Sequence, residues 1–175
     1  NHLKEKEIIL FVGTIEPRKN LIMLLDAFEV LRNKRSEVQL VIAGKAGVKS
    51  EATVKRIKNT EGAFYAGYIS EEEKRYLFDI ARVFVWPSLA EGFGLPPLEA
   101  MCAGVSVVAS DCATTREVLG NDCLYSDPKD PVALSVALES VLNAPVEQKG
   151  VPERCALLSW DNTAKKTQKI YFLYD

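Results

Sequence analysis

Two neighbouring cations, Arg18 and Lys19, stand between an apolar run that ends at Gly13 and an amphipathic segment that follows Asn20. If the run is a strand and the segment a helix, both cations and the positive end of the helix dipole converge on one anion. Charge-assisted hydrogen bonds of this kind contribute about 1.5 to 3 kcal/mol each, and a diphosphate fits the pattern. The alternative is a solvated basic pair in a surface loop.

Two glutamates, Glu91 and Glu99, bracket a glycine-rich stretch with the sequence GFGLPPL. The loop from Ser88 to Leu95 leads into a helix, an arrangement that presents free backbone N–H groups to an anion. A carboxylate at Glu91 suits the hydroxyl groups of a sugar, and Glu99 can accept the two vicinal hydroxyls of a ribose. Each acid also has a simpler explanation. Glu91 can face solvent, and Glu99, as the third residue of a helix that starts at Pro97, can favour the helix N-terminus.

The elements that position these residues alternate between strand and helix. Continuous apolar runs predict strands at residues 8–13, 38–44, 63–68, 83–87, 106–110 and 123–126. Helical spacing predicts helices at 21–33, 51–59, 71–81, 96–103 and from 131 onward, with Asn20, Ser70 and Asp130 as N-caps. The alternation predicts an α/β fold, a doubly wound and mostly parallel six-stranded sheet with helices on both faces.

Ligands of doubly wound sheets bind at the carboxyl ends of the strands. Three loops are expected at that edge, Thr14 to Asn20, Gly44 to Gly47 and Ser88 to Leu95. The candidate cations and Glu91 belong to two of these loops. The sequence therefore predicts that they lie at one edge of the sheet.

The chain divides into a predicted Rossmann-like sheet domain, residues 1–150, and a helical tail, residues 151–175. The tail has a helical pattern that includes Ile170, Tyr171 and Tyr174 but offers no strand to cover. We expect Asp161 to cap the last helix and Trp160 to anchor the bend before it.

Composition argues against several classes of function. The chain has 175 residues, 47% hydrophobic content and a net charge of −2, so it can bury one core but lacks the basic field of a nucleic-acid-binding protein. Its apolar runs are shorter than a bilayer span, which favours a cytoplasmic protein. The only histidine is His2, and the cysteines lack metal-site spacing, so we expect no metal site and free thiols at four positions: Cys102, Cys112, Cys123 and Cys155.

Four segments together resemble the C-terminal, donor-binding half of a GT-B retaining glycosyltransferase of family 4. They are GTIEPRKN, VIAGKAG, the stretch from Phe84 to Asp111, and the tail that begins SWDNTAKKT. The two-glutamate motif is specific in this setting. The segments GTIEPRKN and EGFGLPPLEA most resemble those of bacterial mannosyltransferases of polysaccharide biosynthesis. Such enzymes need no metal ion, which agrees with the missing ligand set.

The resemblance implies a role for each matching residue. Arg18 and Lys19 would hold the donor diphosphate and stabilise the charge that develops on it. Glu99 would hold the ribose. The transferred sugar would be held by Glu91 and by the backbone of Gly92, Phe93, Gly94 and Leu95. The remaining donor contacts would come from the strand end at Gly13 and, beside the base, from Gly44, Gly67 and Tyr68.

The implied donor is a nucleoside-diphosphate hexose, with GDP-mannose as the first candidate and a UDP- or ADP-hexose as the alternative. No further cofactor is expected. The acceptor would be a glycan or a lipid-linked glycan, bound by an N-terminal domain outside these 175 residues. The tail would cross to that domain, and any membrane contact would belong to the full-length protein, peripheral at the inner face of the membrane.

One position departs from the family pattern. Arg116 stands before Glu117 and Val118, where a proline is usual, so a different turn is expected there.

Two alternatives to a transferase also stay open. One is a non-catalytic nucleotide-sugar-binding module, and the other is a different GT-B enzyme, such as a phosphorylase or a nucleotide-sugar epimerase.

Overall fold

The structure is a computed structural model and describes residues 7–172. His2 and Tyr174 lie outside the described residues. The strands and helices are, in chain order, β1 (Ile8–Val12), α1 (Leu21–Arg32), β2 (Gln39–Ala43), α2 (Glu51–Asn59), β3 (Ala63–Gly67), α3 (Glu71–Ile80), β4 (Val83–Trp86), α4 (Leu95–Cys102), β5 (Ser106–Ser110), α5 (Ala113–Leu119), β6 (Leu124–Ser126), α6 (Pro131–Asn143), α7 (Val151–Leu157) and α8 (Trp160–Tyr171). A short 3₁₀ turn, Pro17–Lys19, precedes α1.

The described strands form one six-stranded sheet in the order β3-β2-β1-β4-β5-β6, and each neighbouring pair is parallel. The predicted doubly wound α/β fold is confirmed. The strand order reverses between β1 and β4, which pair through Ile9 with Val83 and Leu10 with Phe84. In sheets of this kind, ligands bind in the crevice outside the carboxyl ends of the strands at such a reversal.

The central strands are continuously apolar because helices cover both faces of the sheet. Every residue of β2 is buried, as are four of the five residues of β1. β3 is one of the two edge strands, and its residues alternate between half-buried and exposed. The helical spacing predicted for α1 is confirmed, since the apolar positions of that spacing are all buried: Leu21, Leu24, Leu25, Phe28 and Leu31.

The predicted caps of α3 and α6 are confirmed, whereas the cap predicted for α1 is wrong. Ser70 and Glu73 form a capping box, and the Asp130 carboxylate accepts hydrogen bonds from two backbone N–H groups of α6. Asn20 precedes α1 in a left-handed conformation, and its side chain caps nothing. Instead its amide donates to the carbonyl oxygens of Pro87 at 3.2 Å and Pro128 at 2.7 Å. This residue therefore ties the loop after β1 to other loops.

The helix that carries Glu99 begins earlier than the sequence suggested. α4 starts at Leu95, with Gly94 as its N-cap at a φ of 91°, so Glu99 is the fifth helical residue. A charge so far along the helix gains little from the N-terminal dipole, which falls off within the first turn. The helix-terminus explanation for this glutamate therefore does not apply.

The two predictions about the start of the last helix are wrong. Ser159 caps α8 by accepting a hydrogen bond from the backbone N–H of Asn162 at 3.3 Å, whereas Asp161 is inside the helix. Trp160 is exposed and anchors no bend among the described residues. The segment with Arg116 forms α5, a helix that the sequence did not predict, and Arg116 pairs with Asp111 just before it.

The expectation of four free thiols is wrong for one pair. Cys102, at the end of α4, and Cys155, in α7, form a disulfide across 53 residues of chain. Cys112 and Cys123 are free. The disulfide attaches the first tail helix to the helix that carries Glu99. The free-thiol argument for a reducing compartment therefore no longer holds for these two residues.

Candidate functional site

The loops after β1 and β4 lie side by side where the strand order reverses. The backbone N–H of Leu89 donates to the carbonyl oxygen of Arg18 at 2.8 Å, and the Asn20 amide reaches the carbonyl oxygen of Pro87. Cations from the first loop and a carboxylate from the second therefore meet at the position where this fold binds ligands.

Arg18, Lys19 and Glu91 form one charged cluster. Arg18 Nη1 lies 2.6 Å from Glu91 Oε2, and Lys19 Nζ lies 2.6 Å from Glu91 Oε1. The side chains of Lys19 and Glu91 are each 6% exposed, whereas that of Arg18 is 47% exposed. Lys19 Nζ also lies 4.0 Å from the centre of the Trp86 ring, a cation–π contact. Arg18 Nη2 completes the cluster by pairing with Glu16 at 2.6 Å.

Burial and pairing act in opposite directions on the pKa values of the cluster. Burial raises the pKa of Glu91, but hydrogen bonds from Lys19 and its other neighbours outweigh it, so that pKa lies below its ordinary value. Burial lowers the pKa of Lys19, and the pairing with Glu91 offsets only part of this effect. The hydrogen bond with Glu91 raises the pKa of Arg18. Glu91 is therefore held as a carboxylate, ready to accept hydrogen bonds.

The second predicted carboxylate, Glu99, lies in a separate and more exposed chain of ion pairs. Lys74 Nζ is 2.9 Å from Glu99 Oε2 and 2.9 Å from Glu71 Oε2. The Lys74 side chain is 17% exposed, against 42% for Glu99 and 81% for Glu71. Burial lowers the pKa of Lys74, but the hydrogen bonds that its ammonium donates to both carboxylates outweigh burial and raise that pKa. One ammonium therefore links α3 to α4.

A pocket of about 230 Å³ lies beside this chain of ion pairs. It brings together three of the predicted donor residues, Gly13, Gly44 and Tyr68, at the carboxyl ends of β1 to β3. Its other lining residues are Val12, Thr14, Lys45, Ile69, Glu71 and Lys74. Gly44 has a φ of 142°, and a Cβ there would collide with the carbonyl oxygen of Gly13. The two backbones therefore approach each other as only glycine at this position permits.

Gly67 supports the pocket through its backbone. It has a φ of 73°, and its carbonyl oxygen accepts a hydrogen bond from the backbone N–H of Gly44 at 2.6 Å. Tyr68, which follows it, is exposed, and Lys45 Nζ lies 4.7 Å from the centre of its ring. The loop after β3 therefore brings an aromatic ring to the pocket, and the loop after β2 brings a cation.

The glycine-rich loop is divided between two environments. Gly92 has open space around it, and Gly94 caps α4. Phe93 and Leu95 line a different pocket of about 310 Å³, whose other walls come from the tail at Leu158, Trp160 and Thr163. The structure thus brings Glu91 to the cations, but it places the side chains of Phe93 and Leu95 against the tail.

Sequence reasoning missed Lys45, Glu71 and Lys74. Lys45 follows β2 directly, so the rule that strand ends line the ligand site could have found it. Glu71 and Lys74 lie in the first turn of α3, in a run of charges that also suits an exposed helix start. Nothing in the spacing of Glu71 and Lys74 distinguishes residues that line a pocket from residues that only stabilise the start of a helix.

No group of three or more potential metal ligands comes together within residues 7–172. Over the same residues, the helices are too short or too polar to cross a membrane.

Residues 1–156 match a family model described as glycosyl transferases group 1. The chain is 37% identical over 172 residues to O-antigen chain mannosyltransferase B of Escherichia coli, covering 94% of this chain and 45% of that protein. It is 30% identical over 168 residues to the serotype-specific mannosyltransferase WbdA of Escherichia coli, covering 90% of this chain and 21% of that protein. Sucrose-phosphate synthase from Thermosynechococcus elongatus superposes with a TM-score of 0.80 at 25% identity, over 98% of this chain and 46% of that one. The chain spans less than half the length of each of these relatives.

Proposed function

Since this chain belongs to the glycosyl transferases of group 1, we propose that it binds a nucleoside-diphosphate hexose and supplies the donor side of a hexosyl transfer. The observation that carries the proposal is the cluster of Arg18, Lys19 and Glu91 at the reversal of strand order. Two cations within reach of one anion suit the diphosphate, and the carboxylate beside them suits the hydroxyls of the attached sugar.

Glu91 has two partners to exchange when the donor binds. Arg18 and Lys19 each already lie 2.6 Å from its carboxylate, so the diphosphate competes with it for both cations. A diphosphate carries more negative charge than one carboxylate and therefore attracts each cation more strongly at the same distance. The released carboxylate then turns to the sugar on the same phosphate. Glu91 in this way couples diphosphate binding to sugar binding.

The whole protein would transfer a mannosyl group from GDP-mannose to a glycan or a lipid-linked acceptor, with retention and without a metal ion. Two relatives, O-antigen chain mannosyltransferase B and the mannosyltransferase WbdA, support mannose by their names. The bond between the sugar C1 and the diphosphate oxygen breaks with its electron pair leaving on the phosphate. The acceptor hydroxyl oxygen bonds to C1 on the same face of the sugar and passes its proton to an oxygen of the departing diphosphate. Arg18 and Lys19 stabilise the charge that grows on the departing diphosphate.

The acceptor would be held by the part of those relatives that this chain does not cover. Exposed apolar side chains on the last helix support a second domain at that surface, since Trp160, Ile170 and Tyr171 are all more than half exposed. They would be buried when the tail crosses to the other domain.

Calorimetry of the chain with GDP and GDP-mannose tests the proposal. We expect Arg18→Ala to weaken GDP binding by about 1 to 3 kcal/mol, because it removes a charge-assisted contact to phosphate. Arg56→Ala is the matched control, since Arg56 pairs with Asp26 and Glu29 away from the strand ends. Wild-type protein that binds neither compound, or equal losses in the two variants, would reject the assignment.

A further inference from the structure

We propose that Trp86 is a positioning residue for Lys19. Its ring keeps the buried ammonium charged and in place while the anion paired with that ammonium changes from Glu91 to the donor diphosphate. The inference rests on the proposed function, because the exchange of partners belongs to it. It goes further by giving a role in the site to a side chain that is 1% exposed and acts through its neighbour.

The ring of Trp86 lies next to both loops of the site. Trp86 is the last residue of β4, and Lys19 Nζ lies 4.0 Å from the centre of its ring. A Cβ on Gly13 would lie 3.4 Å from the same ring, and a Cβ on Gly94 would lie 3.7 Å from its Nε1. The indole therefore extends between the end of β1 and the start of α4, where the strand order reverses.

Stacking fixes the orientation of this ring. The Phe11 ring stacks on it with centres 5.4 Å apart and planes 16° apart, and the Phe84 ring stacks at 6.1 Å and 24°. The indole N–H is buried and has no hydrogen-bond partner within residues 7–172. Aromatic rings carry negative potential on their faces. Trp86 therefore offers Lys19 a fixed π face.

The ammonium of Lys19 needs such a contact because its surroundings act on its charge in opposite directions. Burial lowers the pKa of Lys19, the neighbouring cation of Arg18 lowers it further, and the carboxylates of Glu91 and Glu16 raise it. In the proposed exchange Glu91 turns to the sugar, whereas the ring of Trp86 stays where β4 holds it. The ring therefore favours the charged form of Lys19 before, during and after the exchange.

Burial separates this cation–π contact from others in the protein. Lys45 lies 4.7 Å from the centre of the Tyr68 ring and Arg116 lies 4.4 Å from that of Tyr125, but both cations are exposed. An exposed cation that loses its ring is solvated by water, whereas the Lys19 side chain is 6% exposed. Cation–π contacts are also stronger when they are desolvated. Loss of the π face should therefore change the charge of Lys19 more than that of the other two.

Tryptophan analogues with one, two and four fluorines, placed at Trp86 by nonsense suppression, test the proposal. Fluorine withdraws electrons from the π face and changes the size of the ring little. Competitive acetylation, read by mass spectrometry, measures the neutral fraction of each lysine. At a fixed pH we expect the acetylation rate of Lys19 to rise with each fluorine, by about tenfold in total. Lys74, a partly buried ammonium between two carboxylates, and Lys45, over an unsubstituted ring, are the matched controls and should keep their rates.

Calorimetry with GDP on the same proteins tests the functional part. Near neutral pH we expect affinities within about twofold of each other, because the ring contacts the ammonium in the free and the bound protein. As the pH rises, Lys19 loses its proton first in the fluorinated proteins, so their affinity for GDP should fall at a lower pH. The ligand is the same throughout, and the difference between the curves therefore reports on the protein.

The outcomes separate this inference from the function beneath it. An unchanged acetylation rate at Lys19, or an equal rise at Lys74, would overturn the role of Trp86. A loss of GDP affinity by the same factor at every pH would also overturn it, because the ring would then shape the site without holding the charge. Failure of GDP to bind in every form would reject the donor site and the exchange of partners, whereas the acetylation result concerns Trp86 and Lys19 alone.

Discussion

The two glutamates of the motif each pair with a lysine from another element, but they do so in different surroundings. Glu91 and Lys19 are both 6% exposed, and their pair joins the loops after β1 and β4. Glu99 is 42% exposed and Lys74 17% exposed, and their pair joins α4 to α3. Removing one partner from a buried pair leaves an uncompensated charge in a poor solvent, whereas an exposed partner is replaced by water. In the absence of a ligand, the same two residue types therefore form a buried ion pair in one place and a more exposed ion pair in the other.

The largest effect should come from breaking the buried pair. Lys19→Met leaves the buried Glu91 with only the half-exposed Arg18 as its cation, and we expect the free energy of unfolding to fall by about 3 kcal/mol, the lower end of the cost of an unpaired buried charge. Lys74→Met, the matched change in the exposed pair, should lower it by about 1 kcal/mol or less. Urea denaturation of the two variants measures both values. Similar losses would show that the difference in burial has no energetic consequence.

The next largest effect should come from removing the disulfide beside the exposed Glu99–Lys74 pair. The Cys102–Cys155 disulfide closes 53 residues of chain onto α4, the helix of Glu99. Cys155→Ser should lower the free energy of unfolding by about 2 to 4 kcal/mol. Hydrogen exchange should speed up in α4 and α7 but remain unchanged in the loops after β1 and β4. Cys112→Ser, at a free thiol, is the control. Loss of protection around Arg18 and Glu91 would mean that the two halves of the site are not independent.

A smaller effect should appear in the way the free energy of unfolding falls at acid pH. The pKa of Glu91 lies below its ordinary value of about 4.5, so its contribution to stability is complete above that pH and is lost as the pH falls through the lowered value. Glutamine does not titrate, so in Glu91→Gln this contribution no longer depends on pH. The free energy of unfolding of the variant should therefore fall less steeply than that of wild type below about pH 4.5. Glu99→Gln keeps Glu91 and should retain the wild-type slope. Denaturation at several pH values compares the two slopes, and identical slopes would contradict the pairing of Glu91 with Lys19.

The strands were predictable because burial on both faces leaves a direct mark on a sequence. A parallel strand inside a covered sheet must be apolar at successive positions, as β1 and β2 are. The strand ends then indicated where the loops of the site would be. Helix ends were less predictable, because several neighbouring residues can start a helix. Asn20 illustrates this, since its amide is used by two other loops and not by α1.

The doubly wound sheet, the sheet edge that carries the candidate site and the family of the motifs could all be predicted from the sequence. The folded chain was needed to show that Glu91 joins both cations in a buried cluster, that Lys74 pairs with both Glu71 and Glu99, and that Cys102 meets Cys155. The physical reason is the distance along the chain over which each property is set. Apolar periodicity and strand ends are local properties of the chain, whereas the partner of a charge or a thiol is set by which distant elements pack side by side.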